Sequence, residues 1–408
     1  MIVLTIISIS FLLVVAAYTM VSFKEGSYFN VMSPSMLIFI PVSFFLEPLH
    51  LYYFGYSGSL YAYFFCYVTY ALSILAFSVT YIIFPPVLLT LPLTGKEQII
   101  KYSPFVFVMF SLLIYAPVLW QYADLISTPR EIYMHTRTGY GPSFFLSIML
   151  AYVAFILILF KKKRSRWELV FVSVACAILL VLHGNKSTVI TMLFIAMLYT
   201  VYVKGARVGL TRFLGYGLAF GVLVMSLFAV TLPDNMRSNL LKGISEYSDY
   251  TRNAMLVIDS NMHSQLGRLT LENNIYAMVP RDLFPDKPKD FGTFFLAEKF
   301  YPKWFLADTG SPAFGIGVQY ADFGSFSILY IIYWAVISGA LLKIFVTRLR
   351  YYRNPADFIM VLFLAEVPLL SVGAGYLLIE HMFLAVLVAL IVCPIKFRMY
   401  KRSVPNVT

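Results

Sequence analysis

Charge is scarce in this chain: only 12% of its 408 residues are Asp, Glu, Lys or Arg. A soluble globular domain carries about 25%, because its surface must stay wet. Half that share excludes a water-exposed surface over most of the molecule. Cysteine is nearly absent. Cys66, Cys176 and Cys393 each sit inside an apolar run, so they read as small buried hydrophobes and not as a disulfide framework or a thiolate metal centre. No Asp-x-Asp pair, no His/Cys cluster and no Glu-x-x-His motif is read as marking a bound metal, so metal catalysis has no support and no cofactor is expected. Nor is there a Walker loop for ATP or a Gly-x-Ser-x-Gly elbow for a serine nucleophile. Nor is a cleavable leader expected. Met1–Met20 has neither a basic start nor a small-residue cleavage site, and reads as a first membrane span.

What the chain does have is apolar length. Hydrophobic residues make up 60% of it, in continuous runs near the roughly 20 residues that a helix needs to cross a bilayer. The runs do not alternate as barrel strands would. The expectation is an all-α polytopic membrane protein of about 11 transmembrane helices, a single membrane domain over residues 1–408. The predicted spans are Met1–Val21, Met36–Phe54, Ser59–Phe84, Ser103–Tyr122, Ser143–Phe160, Trp167–Leu182, Ser187–Val203, Arg212–Thr231, Asp322–Phe345, Asp357–Ser371 and Tyr376–Pro394.

The net charge of +11 does not point to nucleic acid once the bases are located. They crowd into short connectors, as in cytoplasmic loops under the positive-inside rule. Lys161-Lys-Lys-Arg-Ser-Arg166 is the densest cluster. Alternation from there puts Lys24, Lys204, Arg207, Arg348, Arg350 and the C-terminal bases on the same side, with the N-terminus outside. Two outer segments then stand out, 123–142 and the long loop 232–321. A connector of that length inside a compact protein is functional or disordered. Tyr, Phe, Trp and Leu are spread through it, which argues against disorder. Met255, Ile258, Met262, Leu266, Leu269 and Ile275 recur at roughly helical spacing, predicting one amphipathic helix over Thr251–Met278 that Pro280 ends.

Bases on the outer side run against the topological bias, so each needs a reason. Arg130-Glu-Ile-Tyr-Met-His-Thr-Arg137 occupies the first segment and is followed by Gly141; Arg281-Asp-Leu-Phe-Pro-Asp-Lys-Pro288 is followed by Gly292. The spacing from arginine to glycine is the same in both. A guanidinium offers planar, bidentate, permanently charged donors that suit a diphosphate, and glycine lets a backbone approach a ligand or turn sharply. The plainer alternative is a pair of loop arginines held by carboxylates, with glycines that only turn. Lys186, in the hairpin His183-Gly-Asn-Lys-Ser187, starts a helix at its positive end, where the dipole disfavours a cation. It forms a phosphate cradle with the free N–H groups there, or it snorkels to the headgroups. Arg137 and Arg268 are further candidates for the diphosphate. Asp322, in the glycine-rich approach from Gly310 to Gly324, orients an arginine or caps a helix. Glu131, Gly141 and Gly292 complete the supporting set.

For a proton acceptor the candidates are His135, Glu131, Asp124, His263, Glu272, Glu380 and His381. His135, flanked by Arg130 and Arg137, has the best neighbourhood. Glu366 is the ionisable group read in mid-span, and the span interiors are otherwise taken as nearly uncharged.

These features together resemble the Wzy-type O-antigen repeat-unit polymerases. The resemblance rests on the many spans, the late outer loop and the two Arg-x10-Gly segments. It rests also on the Pro-Arg…Pro-x-Lys-Pro run and the Gly-x-x-Tyr-Ala-Asp-Phe-Gly re-entry. It implies a metal-independent glycosyltransferase with a GT-C-type fold and a long periplasmic loop, related to the O-antigen ligases. Such enzymes act on oligosaccharides linked to undecaprenyl diphosphate, on the periplasmic face of the bacterial inner membrane. By this resemblance Arg130 and Arg281 correspond to the arginines of the two loop motifs, and a Wzz-type chain-length co-polymerase is the implied protein partner. Two other readings compete. An O-antigen ligase uses the same donor but passes the glycan to lipid A core. A lipid-linked oligosaccharide flippase would show inverted repeats and midplane charges, which this chain lacks apart from Glu366.

Overall fold

A computed structural model of the chain describes residues 2–55, 58–88, 103–136, 140–184, 186–231, 240–245, 248–276, 279, 284–306, 312–366 and 374–392. Among them there are helices and no strands. The first half runs α1 (Ile2–Glu25), α2 (Ser33–Ile40), a π turn (Pro41–Leu46), α3 (Glu47–Phe54), α4 (Leu60–Ile83), α5 (Ser103–Gln121) and α6 (Pro129–Thr136). Then come α7 (Gly141–Phe160), α8 (Arg166–Leu182), α9 (Lys186–Leu198) with a π turn (Tyr199–Val203), and α10 (Leu210–Thr231). The long loop holds α11 (Leu240–Ser245), α12 (Asp249–Asp259), α13 (Arg268–Tyr276), α14 (Thr293–Phe300), α15 (Pro302–Leu306) and α16 (Gly317–Phe323). The chain closes with α17 (Ser327–Tyr352), α18 (Pro355–Glu366) and α19 (Ala374–Val392).

Helices meet all the predicted spans, and 6 of them are long and apolar enough to cross a membrane. These are Ile2–Glu25, Ser33–Phe54, Leu60–Ile83, Ser103–Gln121, Ser143–Phe160 and Gly317–Tyr352. Large apolar side chains point outward along the rods, such as Leu12 at 64% exposure and Leu218 at 72%. In water such faces would aggregate; against lipid tails they are at home. The protein is a multi-pass membrane protein. In its core α4 lies between α1 and α17. A Cβ added at Gly339 of α17 would meet the Phe77 carbonyl oxygen of α4 at 2.6 Å, so only glycine permits that crossing.

The second rod, 33–54, bends through its π turn. Pro48 has no N–H to give the Ser43 carbonyl five residues back, and the Tyr67 hydroxyl of α4 donates to it instead at 2.6 Å. This anchors the π turn that leads into α3 on α4.

The basic connectors gather at one end of the bundle. Glu25 pairs with Arg350 and accepts from the Tyr81 hydroxyl at 2.9 Å. Val208 and Ser27 bond the connector after α9 to the one after α1. Arg348 meets Asp357 at 2.8 Å, both buried. The long-loop helices cover the opposite end. Asp259, the last residue of α12, accepts from the Ser59 amide at 2.8 Å and from the Ser59 hydroxyl at 2.5 Å, clasping the loop to the start of α4.

The single helix expected over Thr251–Met278 is two helices. The chain leaves α12 at Asp259 and passes through left-handed backbone at Asn261 (φ 49°), Leu266 (φ 52°) and Gly267 (φ 86°) before α13 begins. Met255, Ile258 and Leu269 are buried as the periodicity demands, whereas Leu266 is 86% exposed. The periodic spacing was carried across a turn by residues that face different ways.

Candidate functional site

Three groups of residues lie at the loop end. The first joins α6 to the α8–α9 hairpin. Ile132 of α6 is fully buried in a small core with Tyr115, Phe144 and Leu180. Tyr133 packs on Phe144 at 5.6 Å, and Phe144 on His183 at 4.9 Å. His183 also stacks on Tyr115 at 3.8 Å, and its Nδ1 lies 2.6 Å from the Leu179 carbonyl oxygen. Burial lowers the His183 pKa to about 4, with the Leu179 carbonyl opposing. The helix that carries Arg130 and His135 and the hairpin that carries Lys186 therefore share one core. Lys186 does open α9, Gly141 opens α7, and Glu131 is exposed. The side chains of Arg130, His135 and Lys186 lie outside the described part of the structure, as does all of Arg137.

The second group is the folded layer of the long loop. Asp322, fully buried, accepts from the Leu269 amide at 2.9 Å, the Thr270 amide at 2.7 Å and the Thr270 hydroxyl at 2.6 Å. Of the two roles expected for it, it performs the cap, at the N-terminus of α13. Arg268, on the first turn of that helix, is half-exposed, pairs with Glu272 at 3.5 Å and lies 4.9 Å from the Phe295 ring. The other Glu272 oxygen accepts from the Gly292 amide at 3.0 Å. Gly292 has φ 57°, and a Cβ there would sit 2.8 Å from the Asn273 Cβ. That glycine is required by its close approach to α13, which docks the end of the Arg281 segment beside Arg268. Arg281 itself lies outside the described residues.

The third group was passed over in the sequence. Glu47 and His50 face α12 from α3, and both are buried, Glu47 with no exposed surface. Arg252 Nη1 lies 3.4 Å from His50 Nε2. Ser248 and Arg252 are the polar groups that act on Glu47, and the backbone of Ser245 acts on His50. Yet neither Glu47 oxygen, His50 Nδ1, the Ser248 hydroxyl nor Arg252 Nε closes a hydrogen bond of good geometry. The span interiors are thus less empty of charge than expected, since Glu47 and His50 fall within Ser33–Phe54. The signal was available as Glu47-Pro-Leu-His50, a Glu-x-x-His pair at helical i, i+3 spacing inside an apolar run, which corrects the expectation that the chain holds no such motif. Among the described residues no third Asp, Glu, His or Cys joins them into a metal-sized group.

Of the other proton acceptors considered, Asp124 and His263 are exposed and Glu272 is committed to Gly292 and Arg268. His381 stacks on Phe363 at 4.4 Å. The side chains of Glu366 and Glu380 lie outside the described part.

Chemically, this end of the molecule offers Arg268 beside the docked Gly292, the N-terminus of the hairpin helix α9 and the buried Glu47–His50 pair near Arg252. No protein-family model and no solved structure matches the chain. It is 33% identical over 390 residues to the O-antigen polymerase of Salmonella typhimurium (strain LT2), an alignment that covers 95% of each chain. The O-antigen polymerase of Salmonella typhi matches at the same 33% identity and 95% coverage of each chain.

Proposed function

The chain belongs to the O-antigen polymerase family, and from that premise we propose that it joins oligosaccharide repeat units linked to undecaprenyl diphosphate. The growing glycan leaves its lipid diphosphate and passes to the non-reducing end of a new lipid-linked unit, at the periplasmic face of the bacterial inner membrane. The observation that carries this is the end-to-end likeness to two O-antigen polymerases. In the reaction a bond between an anomeric carbon and a phosphate oxygen breaks, and negative charge grows on the leaving diphosphate. Permanently charged donors in a partly dehydrated site stabilise that charge without a metal.

Arg281 and Arg130 are assigned to the diphosphate, with Lys186, Arg137 and Arg268 around it. Support for Arg268 comes from its place beside the docked Gly292, at the end of the Arg281 segment. Support for Lys186 comes from its position at the first turn of α9, where free N–H groups suit a phosphate. His135, on α6, is assigned to the acceptor hydroxyl, with Glu131 and Gly141 shaping that segment and Asp322 holding α13 in place. The basic connectors face the cytoplasm, which leaves a GT-C-type arrangement with its long loop in the periplasm. A Wzz-type co-polymerase is the partner that would set chain length.

The test is genetic and biochemical together. A strain deleted for this gene carries lipopolysaccharide with one repeat unit per core, and the restored gene returns the ladder of long chains on a gel. Arg281→Ala returns protein to the membrane without the ladder. Loss of every core-attached repeat unit in the deletion strain would instead mark a ligase, and long chains from Arg281→Ala would remove that arginine from the site. Purified protein in EDTA, given its lipid-linked unit, yields the same ladder.

A further inference from the structure

The Glu47–His50–Ser248–Arg252 nest has no part in the assignments above. Glu47 and His50 stand on α3, which packs against α11; Ser248 sits at the entry to α12 and Arg252 within it, and α12 is clasped through Asp259 to Ser59. Buried polar atoms in proteins are almost always bonded, and the ion pairs at the basic end of this molecule obey that rule. Asp357 meets Arg348, and Glu25 meets both Arg350 and Tyr81. In the nest the reverse holds. Ser248 acts on Glu47 and the Ser245 backbone on His50, yet Arg252 Nε, the Ser248 hydroxyl, His50 Nδ1 and the Glu47 carboxylate close no hydrogen bond of good geometry. The geometry asks for a visiting group that brings oxygens for the donors and a polar hydrogen for the carboxylate. A phosphate beside a sugar hydroxyl brings both. A single phosphate, a carboxylate or a hydrocarbon tail would leave half of the set unmet.

We infer that this nest is a second polar subsite of the transfer reaction, in which Glu47 takes the proton of the acceptor sugar hydroxyl and Arg252, His50 and Ser248 hold phosphate oxygens. The inference rests on the polymerase reading above, and it replaces His135 as the proton acceptor. As the acceptor oxygen bonds the anomeric carbon, its proton passes to a Glu47 oxygen. The bond from that carbon to the diphosphate oxygen breaks, and its electron pair leaves with the diphosphate. Arg252 meets the added charge, and Glu47 then returns the proton to the released diphosphate or to water. Phe54, 41% exposed, stacks on His50 at 4.6 Å, with Lys242 of α11 5.2 Å from its ring. Facing Glu47 are His50 on its own helix, Arg252 on α12, and Cys66, Tyr67 and Tyr70 on α4. Arg252 is the fixed charge among them.

Full-length protein in nanodiscs is given the lipid-linked repeat unit extracted from a strain that lacks the polymerase gene, and laddered product is followed across pH. Glu47→Gln keeps the shape and removes the acceptor: kcat falls about 100-fold or more, and KM stays within about two-fold of the parent. The rise of the parent rate with pH is lost with it. Arg252→Lys keeps the charge without the planar fork and raises KM about 10-fold. Wild-type kcat and pH profile in Glu47→Gln overturn the inference. If Glu47→Gln does not purify as a single species, Arg252→Lys decides, a raised KM upholding the subsite and an unchanged KM overturning it. A parent protein that makes no ladder sinks both this inference and the polymerase reading; a ladder from parent and variant alike sinks this one alone.

Discussion

The two ends of the bundle treat the same kinds of side chain in opposite ways. At the basic end Arg348 and Asp357 are both buried and meet at 2.8 Å, and Glu25 is closed by Arg350 and Tyr81. At the loop end a fully buried Glu47 lies near a half-buried Arg252, beside a histidine and a serine, and no ion pair of good geometry closes between them. A buried ion pair that serves only the fold must be finished, because removing water from a charge is costly unless a partner replaces it. Open bonds persist where something other than the fold selects them. The contrast separates charges that hold the helices from charges that wait on chemistry.

The comparison can be broken most forcefully at its closed side. Asp357→Ala strands a buried Arg348 guanidinium and is expected to cost about 3–5 kcal/mol, read as a steep drop in melting temperature in detergent. Replacing both partners with apolar residues should recover most of that loss. The hairpin gives the next effect. His183 is depressed to about 4 by burial, below the free value, so its protonation favours the unfolded chain. Stability is therefore full above about pH 6.5 and falls as pH drops toward 4, by about 3 kcal/mol at pH 4. His183→Leu should melt with a shallower pH dependence across that window. Within the long loop, Gly292→Ala places a Cβ against Asn273 on a left-handed backbone and is expected to cost about 2 kcal/mol, seen as faster proteolysis of residues 284–306. Asp322→Ala removes the α13 cap and costs about 1–2 kcal/mol, by the same assay. Smallest on stability is Glu47→Gln. With no finished pair to break, it should move the melting temperature by less than Asp322→Ala while it abolishes chain growth; a drop as large as that of Asp357→Ala would erase the distinction between the two ends.

The apolar rods were legible because a helix in lipid needs only a continuous run of hydrophobic residues, and each predicted span meets a helix. The common placement of Glu25, Arg348 and Arg350 was legible too, since short basic connectors report their side of a membrane. The long loop was legible in content but not in path. Leu266 and Leu269 fit one helical period, yet Gly267 lies between them with φ 86°, and periodicity alone does not register a change of direction. For Asp322 the sequence left open an arginine partner or a helix cap, and the amide it caps in α13, that of Leu269, lies 53 residues earlier in the chain, a pairing no local pattern contains. Glu47 and Arg252 were missed for the same reason. Each is ordinary by itself, one acid in an apolar run and one base in a balanced loop. Their meaning comes from a contact across the chain, and the Arg-x10-Gly segments drew the attention that Glu47-Pro-Leu-His50 warranted.

The clasp between Ser59 and Asp259 has a consequence for biogenesis. Its two halves are 200 residues apart, so at about 5–20 residues per second the ribosome needs roughly 10–40 seconds to deliver the second after the first. Through that interval the second rod must stand in the bilayer with Glu47 and His50 uncovered. A nascent chain of this kind would depend on an insertase or a chaperone to shield them until the loop arrives.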